Sequence, residues 1–447
     1  MKAVGIILAG LACGMASCVN DSGLTGSGVL SEQAAPVRSV PTPTTASPTT
    51  TPVISGPATT TSAPPGAPSP KLMAAVGNDG VMAAASSDGS LATRSFVALQ
   101  DLVYALNTPL PKFDVPALPL NLYAQTGVGK LSPSVADIPA RVYVPNSESG
   151  TLTVIDPATF KILGTYRVGS QPHHVVPGWD MGTLYVLDTA GNALIPIDPR
   201  VGRPDVPIRV EDPYNLYFTP NGKEAIVVAE RFQRLDIRNP RTWELLASIP
   251  VPHAGVNHGD FSPDGRYFYA SCEYSGWVVV VDLVTRRVVA ERRAGVQPID
   301  VKLAPDASVL YVADQARNGV MVLNPTDLGE ITFLPTGAGT HGLYPSRDGT
   351  KLYASNRLGG SVSVIDFASR QIVATWRIPG GGSPDMGGVS PDGSQLWLAG
   401  RFHGEVYVFN TATGGLLARI PVGTGAHGLC YFPQPGRFSM GHTGNYR

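Results

Sequence analysis

A short strand-like motif returns seven times along the chain: Val142-Tyr143-Val144, Leu184-Tyr185-Val186, Ile226-Val227-Val228, Tyr267-Phe268-Tyr269, Leu310-Tyr311-Val312, Leu352-Tyr353-Ala354 and Leu396-Trp397-Leu398, about 42 residues apart. Around each copy, β-branched and aromatic residues alternate and are broken by glycine-rich and Asp-led turns, the period of short antiparallel strands rather than helices. A four-stranded unit of that size cannot bury its faces alone and must pack against its neighbours, and the repeat length suits propeller blades. The expected fold is all-β, a seven-bladed β-propeller over residues 141–433.

The turns give the strand order. Ser262-Pro263-Asp264-Gly265 and Ser390-Pro391-Asp392-Gly393 each end an innermost strand. The chain enters at the second strand of its first blade, Arg141-Val142-Tyr143-Val144, and carries a spare innermost strand at 428–432. That C-terminal strand should close the N-terminal blade and remove an exposed sheet edge. Asp156, Asp198, Asp282 and Asp366 recur at the turn before the outermost strand and read as Asx-turn formers. Residues 434–447 form a C-terminal tail beyond ring closure.

The N-terminal third is organised differently. An apolar run from Ala3 to Ala12 after Lys2 is too short to span a bilayer and reads as an export signal over 1–17. Residues 36–70 are dominated by Pro, Thr, Ser and Ala, with almost nothing apolar to bury, so 18–70 is expected to be a disordered stalk. The segment 71–140 is irregular, with helical spacing over 96–106 and a proline-interrupted arm at 109–122. A formal net charge of -1 and the lack of a basic stripe argue against a nucleic-acid partner. Cys272 and Cys430 fall in blades too far apart to form a disulfide.

Two resemblances follow from particular residues. Met15-Ala16-Ser17-Cys18 resembles a bacterial lipobox, which implies cleavage before Cys18, lipid on that cysteine and a membrane-anchored protein of the cell envelope. Leu310-Tyr311-Val312-Ala313-Asp314, Ser361-Val362-Ser363-Val364-Ile365-Asp366 and Ser390-Pro391-Asp392-Gly393 resemble the YVTN-type propeller repeats of the YncE-like and lactonase-like superfamily. This implies seven blades, and no particular chemistry.

The candidate site comes from superimposing the repeats. At or just before each innermost strand stand His173 and His174, Asn215, His258, Asp300, His341, Asp385 and His427, which should converge on the mouth of the central channel. Arg231, Arg357 and Arg401, at the ends of second strands, should share that rim and attract a small anionic ligand, because guanidinium groups match carboxylates and phosphates. Three readings of the ring compete. The residues cap inner strands; or His174, His258, His341 and His427 ligate copper or zinc; or a His with Asp or Arg hydrolyses a lactone. For the second reading, His173, His174, His258, His341 and His427 resemble the copper-cluster propeller of nitrous oxide reductase, whereas Asn215, Asp300 and Asp385 depart from an all-histidine site. Whether the protein is an enzyme stays open at this level. The sequence is read first as an exported module that binds a ligand or an envelope protein through this mouth.

Overall fold

The repeats fold as seven antiparallel sheets around one channel. The computed structural model describes residues 73–76, 82–85, 121–442 and 445–447. The innermost strands of blades one to seven are Cys430–Phe432, Pro172–Pro177, Asn215–Phe218, Val256–Phe261, Pro298–Leu303, Thr340–Pro345 and Pro384–Val389. Each of the last six leads outward through strands consecutive in sequence. Blade one is completed by Cys430–Phe432 pairing with Arg141–Asn146, through Arg141 with Phe432 and Tyr143 with Cys430. This is the closure anticipated from the strand order.

Burial explains why the strands sit where they do. The innermost strands are covered along their length, as in Val256–Phe261, while the outermost strand of blade six, Gln371–Arg377, alternates exposed and half-buried residues. Apolar side chains fill the wedges between sheets; Tyr217 of blade three, for instance, packs with Phe261 and Phe268 of blade four. Buried polar atoms then tie neighbouring innermost strands together. Asp260 accepts from the Leu303 amide at 2.9 Å and Asp300 from the Leu343 amide at 2.8 Å. The Tyr217 and Tyr344 hydroxyls accept from Gly259 and Gly387 in the same way. The recurrent turn aspartates behave as expected: Asp156 accepts from the Ala158 amide, Asp198 from Arg200, Asp282 from Val284 and Asp366 from Ser369.

The tail enters the channel. Phe438 stacks on Trp179, Gly441 bridges Tyr217, and the His442 amide donates to the Leu216 carbonyl at 3.0 Å. Asn445 donates to the Gly259 carbonyl and accepts from the fully buried Lys302. Arg447 donates to Asp260 at 3.0 Å and lies over the Tyr123 ring. Gly441 has φ of 96°, and a Cβ there would stand 2.4 Å from the Tyr217 Cα, so only glycine passes this point.

The N-terminal unit, 1–92, contributes a hairpin of Met73–Val76 with Met82–Ala85. The expected leader, Cys18, the stalk, the helix at 96–106 and nearly all of the arm at 109–122 lie outside the described residues. Among the described residues no helix is long and apolar enough to cross a membrane. Cys272 and Cys430 are buried free thiols.

Candidate functional site

A repeated irregularity aims the site. In blades two, four, five, six and seven the pairing of the first and second strands slips at the start of the innermost strand, between Pro172 and His174, Val256 and Gly259, Pro298 and Val301, Thr340 and Leu343, and Pro384 and Gly387. The extra residue bends the strand and redirects side chains. His173 and His174, His258, Asp300, His341 and Asp385 all sit at these bulges. Blade three runs in register and carries Asn215 instead.

Six imidazoles meet inside the ring. Successive ring centroids lie 4.0 Å apart for His173 and His427, 4.9 Å for His427 and His174, 5.3 Å for His174 and His258, and 4.4 Å for His258 and His442. His341 completes the cluster at 6.2 Å from His258 and 5.8 Å from His427. Gly428 makes room for this arrangement, since a Cβ there would stand 2.2 Å from the His174 ring. Burial pushes all six histidines below the ordinary imidazole range, His174 to about 3, so the cluster is neutral.

Main-chain carbonyls fix two of the tautomers. His174 Nδ1 donates to the Tyr214 carbonyl at 2.8 Å, and His427 Nδ1 to the His173 carbonyl at 3.2 Å. In both, the lone pair is therefore on Nε2. This is how a ligating imidazole is held by its second nitrogen. His174 Nε2, His173 Nδ1 and both ring nitrogens of His258 are buried with no hydrogen-bond partner.

The two aspartates differ. Both Asp300 oxygens accept from main-chain amides, of Val301 and Leu343, while one stands 3.8 Å from His258 Nδ1 and 3.9 Å from His442 Nε2, and burial raises its carboxyl to about 6. Asp385 comes closer to its imidazoles and is held by a side chain. One oxygen lies 3.0 Å from His341 Nδ1 and accepts from Arg357 Nε at 2.9 Å; the other is buried without a hydrogen-bond partner, 3.4 Å from His427 Nε2.

Above the cluster opens a mouth pocket of about 260 Å³, lined by His173, His341, His427, Arg231, Arg357, Arg401, Glu230, Glu273, Tyr214 and Tyr274 among others. The three arginines thus share one face with three of the histidines, while His174, His258, Asn215, Asp300 and Asp385 are fully buried deeper in the channel. Arg401 is held by Ser147 and the Gly425 carbonyl, and Arg231 by Asp212. Arg317, in the loop after the second strand of blade five, Leu310–Asp314, pairs with Glu330. Two acids line the same pocket, joined by Asn257, whose Nδ2 donates to Glu230 at 3.3 Å and to Glu273 at 2.6 Å. Burial and then the neighbouring Glu273 push the Glu230 carboxyl up to about 8. His442 is the site residue that the repeats could not reveal, because it belongs to no blade.

The sequence profile described as "YNCE-like beta-propeller" matches residues 114–435. The chain belongs to the YncE-like β-propeller family. This YncE-like chain is 27% identical over 181 residues to dihydro-heme d1 dehydrogenase of Pseudomonas aeruginosa; the match covers 40% of this chain and spans about one third, 33%, of the relative's length. Among solved structures, Kuenenia stuttgartiensis hydrazine synthase superposes with a TM-score of 0.54 at 21% identity, covering 67% of this chain and 99% of that one. A putative 6-phosphogluconolactonase from Bacteroides fragilis gives 0.54 at 18%, covering 68% and 100%. Dihydro-heme d1 dehydrogenase in complex with DHE gives 0.53 at 15%, covering 76% and 86%. At these identities the structural likeness establishes the fold alone.

Proposed function

We propose that the channel of this YncE-like protein holds a transition metal and that its mouth binds a small anionic molecule. The observation that carries the reading is the set of buried, partnerless imidazole nitrogens on His173, His174 and His258. An unsatisfied buried polar atom costs about 1–3 kcal/mol, and several in one cluster are offset most directly by an ion that accepts their lone pairs. Neutral imidazoles with one carboxylate, Asp385, suit copper or zinc rather than an oxygen-seeking ion such as magnesium. Arg357 and Arg401 supply the forked donors for an anion, and Glu230, its carboxyl raised to about 8, lines the same pocket as a hydrogen-bonding acid.

Size limits what the mouth takes. At about 260 Å³ it lies just under the roughly 300–1,000 Å³ typical of sites for drug-sized ligands, which favours a small anion over a macrocycle of the kind its dehydrogenase relative is named for. A second reading, hydrolysis of an anionic lactone, is favoured by the arginine pair and by the neighbour named as a putative phosphogluconolactonase. Lipobox-type residues at Cys18 support an exported, membrane-anchored protein, whose mouth could also serve an envelope partner.

Elemental analysis of protein purified without chelators tests the main reading. At least one copper or zinc per chain is expected. Metal-free protein that neither takes up these ions nor gains thermal stability from them would overturn it. Lactone turnover by metal-free protein, lost in Arg401→Ala, would favour the second reading.

A further inference from the structure

Ligand atoms in the channel fall into three close groups: His173, His174 and His427; His174, His258 and His442; and His341, Asp385 and His427, each with its atoms within 4.8 Å of one another. These groups overlap, and the overlap decides how many ions fit. His174 and His427 each donate through Nδ1 to a carbonyl. Each therefore has a single lone pair, on Nε2, and a neutral imidazole of this kind serves one ion. Two groups share no residue.

We infer that the channel is a two-ion centre, with His174, His258 and His442 holding one transition-metal ion and His341, Asp385 and His427 the other. This rests on the reading that the channel takes metal, and goes beyond it in number, ligand sets and the part played by the tail. The first triad joins blades two and four to the C-terminal tail; the second joins blades six and seven to the segment just before the strand that closes blade one. His173 is left beside both, at the floor of the mouth pocket. Asp300 is excluded because main-chain amides hold its oxygens.

The two sites differ in their donors. The first set is three neutral imidazoles with the Asp300 carboxylate just outside it, 3.8 Å from His258 Nδ1 and 3.9 Å from His442 Nε2, whereas the second counts the Asp385 oxygen among its ligands, and both suit copper or zinc. The carboxylate oxygen without a hydrogen-bond partner, 3.4 Å from His427 Nε2, marks the second site, as the partnerless His258 nitrogens mark the first. Because His442 is the tail's contribution, the first site exists only while the tail is docked.

Metal content of the full chain, loaded with Cu(II) or Zn(II) and desalted, tests this by mass spectrometry of the elements. Two ions per chain are expected in the unaltered protein, one in His442→Ala, one in His341→Ala and none in the double variant. Saturation of the unaltered protein at one or at three ions overturns the two-ion assignment and leaves the metal reading intact; no ion at all overturns both. Should His442→Ala fail to fold, the stoichiometry of the unaltered protein still decides, and His442→Gln, retaining size and polarity, is expected to bind one.

Discussion

His442 and His258 lie with ring centroids 4.4 Å apart, one carried by the C-terminal tail and the other by the innermost strand of blade four. A segment outside the repeat thus reaches the centre of the ring and adds to it the same chemistry that the repeats supply. The contacts beneath His442 hold it there, and their strength can be measured.

Arg447 anchors that segment on Asp260, whose side chain is fully buried. Removing one partner of a buried pair leaves an uncompensated charge, typically about 3–5 kcal/mol, here tempered by the Phe261 and Leu303 amides that Asp260 also accepts from. Arg447→Ala is expected to cost about 3 kcal/mol in urea unfolding. A change within 0.5 kcal/mol, the usual range of surface substitutions, would show that the anchor contributes little.

Arg401 faces the mouth pocket with its guanidinium fixed by Ser147 and the Gly425 carbonyl. A charge-assisted hydrogen bond contributes about 1.5–3 kcal/mol, so Arg401→Ala should weaken binding of inorganic phosphate about 10- to 100-fold in titration calorimetry, with the fold unchanged by circular dichroism. Equal affinities in variant and parent would remove the anion from the mouth.

Glu230 gives a pH signature. It faces Glu273, Tyr274, Asp212 and Arg231, and its carboxyl is raised from 4.5 to about 8 by burial first. The folded state then holds this proton more tightly than the unfolded state. The group leaves stability untouched below pH 4.5, and its cost grows as pH rises from there through 8. Glu230→Gln should therefore be more stable than the parent at pH 9 by a few kcal/mol, with the difference shrinking towards pH 5. A difference independent of pH would refute the assignment.

Cys18 is expected to carry lipid. If the lipobox reading holds, Cys18→Ser expressed in a bacterial host should move the protein from the membrane to the soluble fraction and remove the acyl mass from its N-terminal peptide. Unchanged fractionation would count against anchoring by this cysteine.

Much of the ring was legible because it is written in periodic positions. Val142 to Leu398 mark the second strands, and Cys430–Phe432 close blade one where the strand order required. Superimposing repeats also found His173, His341, His427 and the arginines now seen at one mouth. It could not separate Asp300 from Asp385, since equivalent positions look alike in sequence while their oxygens face different donors. Nor could it place His442: the tail has no repeat to align with, and its only signal was an unexplained histidine among glycine, asparagine and tyrosine.

Blade one remains short of its innermost strand until residues 430–432 arrive, and the tail follows still later. While the polypeptide is being synthesised, the imidazoles are therefore strung far apart with no shared cavity. If the channel takes metal as proposed, an ion meets its full ligand set only once residues 427–442 have been made, so cells starved of metal should accumulate a folded, empty ring rather than fragments of a half-built centre.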